Sequence, residues 1–240
     1  MSDKSGRLAG RLALVTGASR GLGAAVARRF AAEGARLVLT ARTVGGLEEV
    51  DDAVRAAGST ATLVPLDLTD FDAIDRLGHS LYERFGHLDV LVGNAGILGT
   101  LSPTGHITPR DWTDVINLNL TANWRLIRSL DPLLRASSAG SAIFVTAELA
   151  RAPRAFWGAY AASKAGLEAL VRVYADEVAK TAIRVNLIDP GRLRTALRAR
   201  AYPGERPESV PAPETATDAF VTLAEIGCTR HGDRIAAAAV

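Results

Sequence analysis

The chain has 240 residues, 48% of them hydrophobic and 22% charged, with a formal net charge of +2. That length suits one α/β domain, and the apolar share supports a buried core and excludes a disordered segment. The small charge is spread along the chain without a basic tract, which argues against nucleic acid, and the single cysteine, Cys228, excludes an intrachain disulfide and a cysteine zinc cluster.

In chain order, short apolar runs alternate with longer helical patterns. Strands are expected at residues 12–16, 36–40, 61–65, 90–93, 142–146, 184–188 and 234–240. Helices are expected at 21–33, 44–57, 71–85, 109–130 and 160–179. Continuous apolar strands joined by helical crossovers predict a doubly wound, seven-stranded parallel sheet covered by helices on both faces, in one domain spanning 1–240. The irregular stretch 193–213 follows a strand end and reads either as a ligand lid or as a mobile surface loop. The first residues are polar and no apolar run reaches the roughly 18 residues of a membrane span, so a cytoplasmic setting is expected.

The first strand runs into Gly17, Gly21 and Gly23, with Ser19, Arg20 and Leu22 between them and a helix behind. Glycine lets backbone approach a pyrophosphate, and the helix amino terminus offers free N–H groups and positive dipole. At the end of the second strand a carboxylate would bond a free ribose hydroxyl, whereas an arginine pairs with a 2′-phosphate. The chain has Arg42 there and Arg20 in the glycine loop, so NADP(H) is expected over NAD(H).

Tyr160 and Lys164 are four residues apart on an expected helix and therefore share a face. A cation beside a phenol favours the phenolate and moves its pKa toward the working range, as acid–base catalysis requires. The four histidines, His79, His87, His106 and His231, lack ligand spacing, and no metal is expected.

With these residues in place the chain resembles the short-chain dehydrogenase/reductase family over nearly its whole length. The matching pieces are Thr16-Gly17-x3-Gly21-x-Gly23, Asp67-Leu68, Asn94-Ala95-Gly96, Asn119, Tyr160-x3-Lys164 and Pro190-Gly191. Within the family, Trp157-Gly158-Ala159-Tyr160 and the run from Pro190 to Pro203 are similar to a bacterial branch of poorly characterised oxidoreductases. The resemblance implies a Rossmann fold and hydride transfer between NADP(H) and a small carbonyl or alcohol, with Tyr160 as general acid/base. Lys164 would tune Tyr160 and bind the nicotinamide ribose. Asp67, with Leu68, would meet the adenine, and Asn94, Ala95 and Gly96 would line the cofactor. Pro190, Gly191, Leu193 and Thr195 would position the nicotinamide carboxamide. Asn119 would hold a water in a proton relay through Lys164. A homodimer or homotetramer is implied too, because the helix after Tyr160 carries Ala161, Ala162, Ala165, Gly166 and Ala169; a buried contact within the chain needs the same small residues.

One position departs from the family. A serine usually stands thirteen residues before the tyrosine, and here that residue is Ala147, between Thr146 and Glu148. Thr146 would need a bulge to face inward, since adjacent strand side chains alternate. Glu148 near Tyr160 would raise the phenol's pKa unless Arg151 or Arg154 neutralised it. Three accounts follow: a working reductase, a slow enzyme for an activated carbonyl, or a nucleotide-binding module without chemistry. The arginines at 192, 194, 198, 200 and 206, interspersed with Glu205 and Glu208, either greet an acidic substrate or form a solvated loop.

Overall fold

The computed structural model describes residues 6–237. Seven parallel strands form one sheet: β1 (Leu12–Thr16), β2 (Arg36–Ala41), β3 (Ala61–Pro65), β4 (Val90–Gly93), β5 (Ser141–Val145), β6 (Arg184–Asp189) and β7 (Arg234–Ala236), in the spatial order 3-2-1-4-5-6-7. The segment 238–240, expected to continue the last strand, lies outside the described residues. β1, β4 and β5 are buried along their whole length because helices cover both faces, which is why they read as unbroken apolar runs.

The helices are α1 (Gly21–Ala32), α2 (Val44–Ala56), α3 (Phe71–Phe85), α4 (Pro109–Ile116), α5 (Ala122–Arg135), α6 (Gly158–Val178), α7 (Ala196–Ala201) and α8 (Thr217–Ala224). One apolar layer packs α1, α2 and α8 around Phe30, Leu47 and Phe220; the other packs α3, α5 and α6 around Ile74, Leu130 and Leu167. Local chemistry sets the ends: Asp70 accepts from the Ala73 N–H at 3.0 Å to start α3, and Gly86 ends it at φ +70°. Thr108 caps α4 at the Asp111 N–H, with Pro109 in the first turn.

Three expectations need correction. The single helix 109–130 is two helices joined by a π-turn, Asn117–Thr121, and α5 runs on through Pro132 to Arg135. The irregular stretch contains the short α7, capped by Thr195 at the Arg198 N–H, 3.3 Å. Beyond it lies α8, a helix without a counterpart among the expected elements. Six of its eight residues are buried, so it carries no polar face to mark a period.

Candidate active site

The chain direction across the sheet reverses between β1 and β4, since β1 pairs with both β2 and β4 and the order departs on either side. Such a switch point opens a crevice at the carboxyl ends of the strands. Gly17 (φ +65°) and Gly21 (φ +56°) turn the chain there. A Cβ on Gly23 would fall 2.3 Å from the Gly17 carbonyl oxygen and 2.5 Å from Asn94 Nδ2, so only glycine lets the loop close on its own helix. Arg20 precedes α1 without a side-chain cap and no acid lies in the first turn, which leaves the opening N–H groups and dipole for an anion. Ser19 backs the loop against α2 at Gly46, and Leu22 is buried in the layer beneath. This open, glycine-walled cradle fits a dinucleotide pyrophosphate.

Thr16 and Asn94 lace the two sides together. Thr16 Oγ1 accepts from the Asn94 and Ala95 N–H groups, both at 3.0 Å, and donates to the Val92 carbonyl; Asn94 Nδ2 donates to the Thr16 carbonyl at 2.8 Å. Asn94 therefore braces the sheet where β1 and β4 end. Arg42 and Asp67 stand just beyond the ends of β2 and β3, near enough for the Arg42 charge to act on the carboxylate. Burial alone would raise the Asp67 carboxyl, but the Thr69 N–H and hydroxyl at 2.9 and 2.8 Å, with the Arg42 charge, hold it below the ordinary range. One Asp67 oxygen is thus committed to Thr69, and Leu68 beside it is buried. After β6, Gly191 takes φ +71° and Pro190 leads the chain back across the crevice. There the Thr195 methyl lies 3.5 Å from where a Gly21 Cβ would stand, and Leu193 is buried.

Tyr160 and Lys164 are both buried on α6. Lys164 Nζ donates to the Val145 carbonyl at 2.8 Å and lies 5.9 Å from the Tyr160 ring centroid. The expected acidification of Tyr160 is not what this geometry produces. Burial, with the Asp189 charge added, pushes the phenol up to about 12. Burial also lowers the Lys164 ammonium to about 8, against the opposing pull of Asp189. Desolvation outweighs the lysine because both groups are shielded from water.

Asn119 sits on the π-turn and is fully buried. Its side chain accepts from the Ile97 N–H and donates to the Ile97 carbonyl, both at 2.9 Å, and also donates to Ser163 Oγ at 3.0 Å. Its side chain is thus engaged with protein groups, and it acts as a brace between α6 and the irregular segment that leads from Gly96. A Cβ on Gly96 would lie 3.2 Å from Asn119 Oδ1 and 3.7 Å from Lys164 Nζ, so these three positions converge.

Ala147 packs in an apolar cluster with Tyr160, Trp157, Leu98, Leu197 and Tyr202. It therefore belongs to the same wall as Tyr160, at the place where a hydroxyl is usual in the family. Neither neighbour replaces that hydroxyl. Thr146 Oγ1 donates to Glu168 at 3.0 Å, away from Tyr160, and Glu148 is exposed and paired with Arg154 at 3.2 Å. The acid acting on Tyr160 is Asp189.

Three residues of the site, Glu168, Asp189 and Arg234, escaped the sequence reading. Glu168, one turn beyond Lys164 and 3% exposed, gathers Thr146, Arg151 (3.0 Å), Arg172 (2.6 Å) and Arg234 (2.7 Å). Arg234 also bonds Asp189 at 2.7 Å, so a carboxylate–guanidinium chain ties β5, β6 and β7 to the helix that carries Tyr160. Arg198 lies 3.7 Å over the Tyr202 ring and pairs twice with Glu205 at 2.6 Å, which puts it in the loop's own structure. No group of three or more potential metal ligands occurs among the described residues.

A family model described as short chain dehydrogenase matches residues 11–206. The chain is 38% identical over 206 residues to the uncharacterized oxidoreductase YciK of Escherichia coli K12, covering 85% of this chain and 81% of that protein. It is 37% identical over 204 residues to an uncharacterized NAD-dependent oxidoreductase of Mycobacterium tuberculosis, covering 79% and 74%. Among solved structures, a short chain dehydrogenase from Pseudomonas syringae superimposes with TM-score 0.94 at 39% identity, covering 97% and 96% of the two chains. Another from Shigella flexneri, complexed with NADP, gives TM-score 0.93 at 34% identity, covering 97% and 99%.

Proposed function

The chain belongs to the short-chain dehydrogenase/reductase family, in the branch that contains YciK, and within it we propose that this oxidoreductase interconverts a carbonyl and a secondary alcohol using NADP(H). The observation that carries the reading is the buried Tyr160–Lys164 pair on α6 at the carboxyl end of the sheet, facing the same crevice as an uncapped glycine loop. Gly17, Gly21 and Gly23 would hold the pyrophosphate, with Arg20 and Arg42 at the 2′-phosphate. Asp67 and Leu68 would border the adenine, and Pro190, Gly191, Leu193 and Thr195 the nicotinamide. When bound, the cofactor supplies or accepts a hydride. Tyr160 gives its proton to the developing alkoxide, and the Lys164 cation lowers the energy of the phenolate left behind. Asn119 keeps Gly96 and α6 in register with this pair.

NADP(H) over NAD(H) rests on Arg20, Arg42 and the lack of an acid at the end of β2, and the NADP complex of the Shigella flexneri relative supports it. The NAD-dependent relative marks the alternative. Titration of NADPH and NADH by cofactor fluorescence decides between them. We expect NADPH to bind at least about tenfold tighter, through charge-assisted bonds worth roughly 1.5–3 kcal/mol, and Arg42→Asp to abolish the preference. An unchanged preference in Arg42→Asp would contradict the assignment.

Ala147 favours a second reading: a nucleotide-binding module with little or no turnover. Loss of one oxyanion donor costs about 10² to 10³ in rate. NADPH affinity without turnover on a carbonyl panel, in wild type and in Ala147→Ser alike, would select it. We also propose self-association through α6, where Ala162, Ala165 and Ala169 are exposed on the helix; Gly166 instead packs on Leu120 within the chain. No described helix is long and apolar enough to cross a membrane.

A further inference from the structure

Asp189 closes β6 where the chain leaves the sheet for the crevice, and both of its carboxylate oxygens are engaged. Oδ1 accepts from the Gly191 N–H at 3.0 Å, across a turn whose middle residue, Pro190, has no N–H to compete. Oδ2 accepts from Arg234 Nη2 at 2.7 Å, and Arg234 Nε donates to Glu168 on α6, also at 2.7 Å. Asp189, Arg234 and Glu168 are 12%, 17% and 3% exposed, so solvent screens these charge-assisted bonds little. The segment anchored by Asp189 continues to Thr195, whose methyl reaches the place of a Gly21 Cβ on the glycine loop. One carboxylate thus joins the arm that crosses the crevice to the helix that carries Tyr160 and Lys164.

The same carboxylate acts on both buried groups of the pair. Burial first, and the Asp189 charge after it, raise the Tyr160 phenol to about 12. At Lys164 burial lowers the ammonium to about 8, against the pull of Asp189. At each group the carboxylate favours the protonated form. Other charged groups around the pair are engaged elsewhere. Glu168 on α6 accepts from Arg151, Arg172 and Arg234, and Glu148 after β5 pairs with Arg154. Beyond β6, Arg198 pairs with Glu205, while Arg192 and Arg194 are exposed. On the side of the π-turn, Asn119 and Asn123 are buried and uncharged.

Resting on the reductase reading above, we propose that Asp189 is a positioning residue of the reaction. One oxygen sets the Gly191 turn at the nicotinamide end of the crevice. The other, through Arg234 and Glu168, keeps that turn in register with Tyr160 and Lys164. Asp189 acts through the backbone it holds and through the charge it places near the lysine, and chemistry separates these two contributions. An amide at this position keeps an acceptor for the Gly191 N–H without the charge, and a methyl keeps neither. Removing the Arg234 guanidinium leaves both and cuts the tie to α6.

The test compares wild type with Asp189→Asn, Asp189→Ala and Arg234→Met. It reads NADPH affinity by cofactor fluorescence and the pH profile of kcat, with NADPH saturating, for the best substrate of a carbonyl panel. Affinity falls by at least about tenfold in Asp189→Ala and by less than about threefold in Asp189→Asn, because the amide keeps an acceptor for the turn. Both Asp189 variants move the falling limb of reduction from about 8 to lower pH, by about one unit, since Lys164 loses the charge that holds its proton. Arg234→Met removes a cation and leaves the carboxylate, so its limb does not move to lower pH. Its kcat falls by at least about fivefold, because the turn and α6 are no longer held in register. Native affinity in Asp189→Ala, an unmoved limb in both Asp189 variants, or an equal acid shift in Arg234→Met would overturn the proposal while leaving the reductase reading intact. NADPH binding with no carbonyl reduced by wild type would remove that reading and the role of Asp189 in the reaction with it; the affinity comparison would then decide the Gly191 turn alone.

Discussion

Replacing Glu168 by glutamine tests whether one buried carboxylate holds the strand ends of the site to α6. The side chain is 3% exposed and accepts from Thr146, Arg151, Arg172 and Arg234. Arg151 and Arg172 are 54% and 45% exposed, so their pairs are screened and contribute only about 0.2–1 kcal/mol each. Arg234 is 17% exposed and keeps Asp189 when Glu168 loses its charge. The main loss is then one charge-assisted hydrogen bond, worth about 1.5–3 kcal/mol, partly replaced by the amide oxygen. A net cost of about 2 kcal/mol lowers Tm by about 4–8 °C at this size. The sign with pH follows from the carboxyl itself. Burial alone raises it, but bonds from Arg151, Arg234 and Thr146 outweigh burial and hold it below 4.5. The wild-type advantage is therefore complete above the unfolded value and disappears as pH falls through the lower folded value. Thermal unfolding of both proteins at fixed concentration, from neutral pH to about pH 3, reads this out. A Glu168→Gln protein matching wild type at neutral pH, or a gap that widens on acidification, would refute the reasoning.

Gly23→Ala places a methyl 2.3 Å from the Gly17 carbonyl oxygen, where backbone cannot retreat. We expect about 1–3 kcal/mol of destabilisation, with NADPH affinity reduced at least about tenfold in a fluorescence titration; native affinity would show that the loop does not close as described. Carbonyl reduction is expected to fall as pH rises through about 8, where Lys164 loses its proton, while Tyr160, at about 12, stays protonated throughout. A profile flat to pH 10, or one whose falling limb persists in Lys164→Met, would show that the lysine charge does not assist proton donation.

Much of the sheet was legible because both its faces are covered, so β1, β4 and β5 announce themselves as apolar runs bounded by glycine or polar residues. The glycine loop was legible for a similar reason: its spacing is itself the constraint on backbone approach. The π-turn was not, because Asn117–Thr121 leaves the apolar pattern of the surrounding helix uninterrupted. α8 was missed because burial on all sides removes periodicity. The Glu168 chain was invisible for another reason. Its partners at 146, 151, 172 and 234 are brought together only by the order of β5, β6 and β7. The Tyr160–Lys164 spacing gave the shared face correctly, yet the direction of the phenol's shift depends on depth of burial and on Asp189, neither of which spacing encodes.

The central claim is that Tyr160 is the proton donor to a carbonyl reduced by NADPH. The most direct measurement is the single-turnover rate of NADPH oxidation with the best substrate of a carbonyl panel in wild type and Tyr160→Phe, beside the NADPH dissociation constant of each. We expect the rate to fall by about 10² to 10⁴ with the dissociation constant nearly unchanged. An equal rate in Tyr160→Phe, at equal NADPH affinity, would contradict the account.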